Sequence, residues 1–151
     1  MKGFQFKIDG DWAHFKKPDT NNNPLSHDLI PKTALIGMIG AVLGIEREKM
    51  KSLFPQLSED LLYGVELLKP VKKASCGFTS HTAINPTAIK SPKAFEMLRD
   101  VSYKVCVGLN GERSQSIFDD FQNAILEGYA IYDPYLGIAN CPAELTFISH
   151  G

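Results

Sequence analysis

Residues 101–107 read Val-Ser-Tyr-Lys-Val-Cys-Val, so Val101, Tyr103, Val105 and Val107 alternate with Ser102, Lys104 and Cys106. That period of two is the mark of a half-buried strand. Downstream, Asn110-Gly111 marks a turn, and Ser116 followed by Asp119 predicts a capping box with Asp in the Glu position. Phe118, Phe121 and Ile125 then form one apolar helical stripe that stops at Gly128, and Leu145 with Phe147 predicts a last strand. Upstream, Tyr63, Val65 and Leu67 share a face of a second strand. Phe4, Phe6 and Ile8 alternate with Gln5, Lys7 and Asp9 in the first strand, and Trp12 to Phe15 continue it beyond a break at Gly10-Asp11. Between these two strands, residues 34–44 form a helix that is apolar nearly all round, with Pro31 at its start and Thr33 as its cap. A second short helix over 46–53 ends before Phe54-Pro55.

Gly37, Gly40 and Gly44 fall on one face of the apolar helix. Each lowers helix propensity by about 1 kcal/mol relative to alanine. The expected offset is close packing of that face against a sheet. The resulting order is strand, helix, strand, insertion, strand, helix, strand. This β-α-β-β-α-β order is the ferredoxin-like pattern of an α+β fold, shared with RNA-recognition (RRM-like) modules and with many unrelated functions.

A chain of 151 residues with 44% hydrophobic and 22% charged residues fits one globular domain over 1–151. A net charge of −1 excludes a uniformly basic nucleic-acid binder but permits a local basic patch. Three scattered cysteines, Cys76, Cys106 and Cys141, form neither a disulfide framework nor a zinc motif, in keeping with a reducing cytoplasm. The first ten residues lack a signal-peptide core, and the longest apolar run, 33–45, is too short to span a bilayer.

Between Leu67 and Phe95 there is no acidic residue, while Lys69, Lys72, Lys73, Lys90, Lys93, His81 and Phe78 are present. A long, acid-free connection with an aromatic suits an RNA backbone and a stacked base; the plainer alternative is a solvated loop. Lys16-Lys17 sits in a polar loop with Asn21 and Asn22, which offers phosphate and base contacts. Lys32 beside Thr33 at a helix start suits an anion, or a simple cap. Known catalytic motifs are missing: there is no G-x-x-x-x-G-K-[ST], G-x-S-x-G or H-E-x-x-H. Asp119-Asp120 reads as a solvent face. His14 reads as a structural core histidine, and His27 and His81 as loop residues that an acid/base ribonuclease would use.

Three stretches carry a family resemblance. They are GDWAHFKKPDT at 10–20, IPKTALIGMIGA at 30–41, and YDPYLGI at 132–138, followed by CPAE at 141–144. They resemble the CRISPR-associated fifth Cas family of the RAMP superfamily, with a flavour closest to type I-B. The resemblance implies an RRM-like core with an inserted β-hairpin thumb over about 69–95. It implies a non-catalytic subunit that caps the 5′ handle of the CRISPR RNA, with no cofactor or metal. The implied partners are the guide RNA, the repeated backbone subunit and the large subunit. RNA contacts are expected from Trp12, His14, Lys16, Lys17, Asn21, Asn22, Lys32, Thr33, Lys72, Lys73, Phe78, His81 and Lys90. Relatives usually continue past the last strand, whereas this chain stops at Gly151. Two other readings remain: a metal-independent endoribonuclease acting on precursor CRISPR RNA, and a ferredoxin-like protein interaction domain without RNA. Tyr132, Tyr135 and Leu136 are either exposed apolar surface or core.

Overall fold

In the computed structural model the alternating stretch lies within a much longer strand. The structure describes residues 3–18, 25–81, 90–138 and 140–151, without the side chains of 78–81 and 90–93. The elements are β1 Gly3–Ala13, α1 Lys32–Leu43, α2 Arg47–Asp60, β2 Leu61–Leu67, β3 Lys73–His81, β4 Lys90–Leu109, α3 Gln115–Glu127 and β5 Glu144–His150. The main sheet runs β2-β4-β1-β5 with every neighbour antiparallel. β4 serves two ladders on one flank: its second half pairs with β2, and residues 90–98 pair with β3 as a two-stranded ribbon, from Lys73↔Leu98 to His81↔Lys90. The ladders meet at Asp100, whose φ of 53° puts it in the left-handed region that aspartate tolerates.

One sheet face is apolar because β1 and β4 keep their phase. Phe4, Phe6, Ile8, Tyr103, Val105 and Val107 are all buried, with Phe4↔Val107 and Ile8↔Tyr103 in register. α3 covers this face through its predicted stripe. Phe118 packs edge-on to Phe4 at 5.2 Å, and Phe121 to Phe6 at 5.6 Å. α1 adds Leu35, Ile36, Ile39 and Val42 to the same core.

Local expectations need four corrections. α1 begins after Pro31 with no side-chain cap, so Thr33 does not cap it. α3 begins two residues earlier than the Ser116 box implies, and Asp119 accepts a hydrogen bond from Gln115 (2.8 Å) instead of closing a box. α2 continues through Phe54-Pro55 to Asp60, because Pro55 is exposed and Leu57 anchors the later turn in the core. The glycine face of α1 does not lie on the sheet. A Cβ at Gly40 would meet Met50 of α2, and one at Gly44 would meet Ile131, but one at exposed Gly37 would meet nothing among the described residues.

A polar knot joins α2 to α3, with Asp60 and Ser114 buried and Arg113 half exposed. Arg113 grips Asp60 with two nitrogens, at 3.0 and 2.8 Å, and Ser114 Oγ donates to the same carboxylate at 2.6 Å.

Candidate nucleic-acid interface

The lysines of the acid-free stretch meet acids once the strands pair. β4 supplies Glu96 and Asp100 across the ladder, and the loop before α1 supplies Asp28. Lys69 Nζ lies 2.9 Å and Lys72 Nζ 4.0 Å from Asp100, and Lys73 Nζ lies 3.0 Å from Asp28 and 3.5 Å from Glu96. The hydrogen bond to Asp100 raises the Lys69 pKa, the one to Asp28 raises that of Lys73, and Lys69 in turn lowers Asp100. These shifts keep Lys69, Lys73 and Asp100 charged at neutral pH. The foot of the β3–β4 ribbon is therefore a mosaic of both signs. A window along the sequence cannot see partners that lie across a ladder.

His14 belongs to the same foot. It is 1% exposed, and its Nδ1 donates to the Glu96 carbonyl at 2.7 Å. Its Nε2 is buried without a hydrogen-bond partner among the described residues. Ser26 completes the cluster, accepting from the Phe15 amide and donating its own amide to the Glu96 carboxylate. Trp12, opposite Arg99 on β4, is half-buried against the core. Lys16 pairs with Ser26, and the Lys17 amide donates to the Leu25 carbonyl. Lys32 does not guard the start of its own helix. Its Nζ donates to the Ser58 carbonyl (2.8 Å) in the last turn of α2, where helix carbonyls favour a cation. Phe78, His81 and Lys90 have backbone places in the ribbon, but their side chains lie outside the described residues, as do Asn21 and Asn22 entirely.

The open sheet face differs from a stacking platform. Gln5, Lys7, Asp9, Gly64, Glu66, Lys104 and Cys106 occupy it, with Lys7 paired to Asp9 and Lys104 to Glu66. None of these carries a ring to stack a base.

The exposed aromatics lie elsewhere. Tyr132 and Tyr135 are 55% and 46% exposed, whereas Leu136 is fully buried. Two cavities, of about 310 and 980 Å³, run along the outer side of α1 and share Thr33, Gly37, Ala41 and Tyr135. The smaller adds His14 and Lys16; the larger adds Tyr132, and Arg47, Met50, Lys51 and Phe54 from one face of α2. Sequence reading missed Arg47 and Lys51, although their spacing with Met50 already put all three on one face of the expected 46–53 helix.

A family model for CRISPR-associated protein (Cas_Cas5) matches residues 3–149. The chain belongs to the Cas_Cas5 family. No curated protein matches it in sequence. Among solved structures, the Cas_Cas5 chain is similar to a chain of a CRISPR RNA-guided surveillance complex, with a TM-score of 0.68 at 16% identity over 91% of this chain and 58% of that one. A crystal structure of a Cas protein gives 0.58 at 16%, over 91% and 57%. A chain of the Type III-B Cmr-beta complex bound to cognate target RNA and AMPPnP gives 0.57 at 11%, over 94% and 62%. At these identities the likeness shows the fold. The Cas_Cas5 chain spans 58% of the length of the first of these relatives. Among the described residues, no helix is long and apolar enough to cross a membrane.

Proposed function

We propose that this Cas_Cas5 chain is a non-catalytic, RNA-binding subunit of a type I CRISPR interference complex, of the type I-B kind, working in the cytoplasm. It grips the 5′ handle of the CRISPR RNA and sits beside the repeated backbone subunit and the large subunit. The observation that carries this reading is the β3–β4 ribbon, which extends β4 beyond the main sheet and bears Lys69, Lys72 and Lys73 at its foot. That ribbon is the proposed thumb. The strand order β2-β4-β1-β5 with helices between supports the ferredoxin-like core that the resemblance implies. The grip is electrostatic on phosphates, with polar contacts to unpaired bases.

The test is binding of a labelled repeat-derived RNA in EDTA across a salt series, for wild type and for Lys72→Glu/Lys73→Glu. We expect intact RNA, weaker binding by the double variant, and a log–log salt slope smaller by about 1.4, as for two lost single-strand phosphate contacts. Cleavage of the RNA would replace this reading with the endoribonuclease. Absence of binding at low salt would favour the protein interaction domain.

A further inference from the structure

We propose that the free edge of β2 is a self-association surface, on which a second copy of this chain lays its own β2 antiparallel to the first, centred on Gly64. The two sheets then join into one sheet across a two-fold axis. The inference goes beyond the RNA-binding reading and does not rest on it.

An exposed strand edge is a template for another strand, and proteins usually guard it with lysine, proline, a bulge or a covering element. β2 has none of these among the described residues. It pairs with β4 without a register shift and ends the sheet order, and its one charged residue, Glu66, is tied to Lys104 at 3.0 Å. Leu62, Tyr63 and Leu67, with Leu68 just after, are all exposed. The opposite edge strand, β5, is guarded: it carries Glu144 and His150 at its ends and a register shift in its ladder with β1. Tyr63 and Leu67 stand on the same side as buried Leu61 yet are exposed, so no described helix overhangs this edge to bar a neighbour.

The backbone sets which groups are free. At the two ends of the β2–β4 ladder, Asn110 N–H donates to the Asp60 carbonyl at 2.8 Å and Leu68 N–H to the Ser102 carbonyl at 2.9 Å. Hydrogen-bonded pairs alternate along an antiparallel ladder, so Leu62, Gly64 and Glu66 bond inward to β4. Leu61, Tyr63, Val65 and Leu67 therefore point their N–H and C=O groups outward.

The apolar pattern of the strand is symmetric about Gly64. In an antiparallel pairing centred there, Leu61 meets Leu67 of the second copy and Tyr63 meets Val65, both as hydrogen-bonded pairs on the apolar face. Gly64 meets Gly64 on the axis as a non-hydrogen-bonded pair, where the strands come closest, about 4.5 Å between Cα atoms. This accounts for a glycine in mid-strand, where a Cβ would meet nothing among the described residues. Glycine inside a strand marks the close approach of another backbone. Such an interface is isologous and closes at two copies.

The experiment is sedimentation velocity of the full chain over about two decades of concentration, for wild type and for Tyr63→Lys/Leu67→Lys, with thermal melting of each as the check on folding. We expect wild type to shift from monomer to dimer as concentration rises, and the folded lysine variant to need at least about tenfold more protein for the same shift. The register is read separately by disulfide cross-linking in a Cys106→Ser background, because Cys106 lies opposite Gly64 in the ladder. Gly64→Cys should add a dimer band on a non-reducing gel that the background lacks. Leu62→Cys, about 14 Å from its counterpart along the strands, should not. A wild type that stays monomeric throughout would overturn self-pairing and leave the edge to a strand of another chain. Dimers unaffected by the lysine changes would place the contact elsewhere and overturn the proposal. Cross-linking through Leu62→Cys but not through Gly64→Cys would overturn the pairing centred on Gly64. Failure of RNA binding would leave all of these outcomes as they are.

Discussion

Asp60 ends α2 at 7% exposure, held by both Arg113 nitrogens and the Ser114 hydroxyl. The Arg113 hydrogen bond and then the Ser114 bond hold its carboxyl below the ordinary carboxylate pKa of 3.8. The folded state therefore favours the ionised form. The contribution is complete above the unfolded pKa and is lost as pH falls through the lower, folded value. Asp60→Asn should melt about 5 °C or more below wild type at pH 7, and the gap should narrow on acidification below about pH 4. Melting curves across that range check it; a gap independent of pH would mean that the carboxylate charge is not what stabilises the knot.

At the scale of elements, α1 carries two glycines with opposite consequences. Gly37→Ala should stabilise the protein by about 0.5–1 kcal/mol, since the methyl group enters open space and the helix gains propensity. Gly40→Leu should destabilise it by about 1–3 kcal/mol, because the new side chain must displace Met50 from the α1–α2 contact. Urea unfolding of both variants separates the two cases. The same helix shows what the sequence could reveal. Its extent was legible from Pro31 at its start and an apolar run that continues nearly all round to Gly44, and the strands around Phe6 and Tyr103 were legible from alternation. The packing direction of its glycine face was not, since periodicity names a face but not the element that meets it. Pro55 misled for a related reason: it argues against helix locally, and a buried Leu57 two residues later holds the helix regardless.

For the whole molecule, charge is distributed by the topology and not by the sequence window. The ribbon's foot looked purely basic between Leu67 and Phe95, but pairing brings in Glu96, Asp100 and Asp28, so the basic patch is partly neutralised by its own fold. On the RNA-binding reading, these carboxylates compete with phosphate. Asp100→Asn keeps a residue tolerant of positive φ while releasing Lys69 and Lys72. It should raise affinity for repeat-derived RNA by about twofold to fivefold at low salt, with the gain fading as salt is added. An unchanged or lower affinity in a salt titration would place the RNA away from that foot.

The strand order also sets a clock. β1 occupies an interior place in the sheet, yet its ladders are made with residues 98–108 of β4 and with β5, more than 130 residues downstream of it in sequence. At a translation rate of about 5–20 residues per second, the stretch bearing Phe4, Phe6 and Ile8 waits roughly 5–20 s for β4 to be made. During that interval a nascent chain presents an apolar, unpaired strand to the crowded surroundings of the ribosome. Its yield in a cell should therefore respond to chaperone supply and to growth temperature more than its finished stability would suggest.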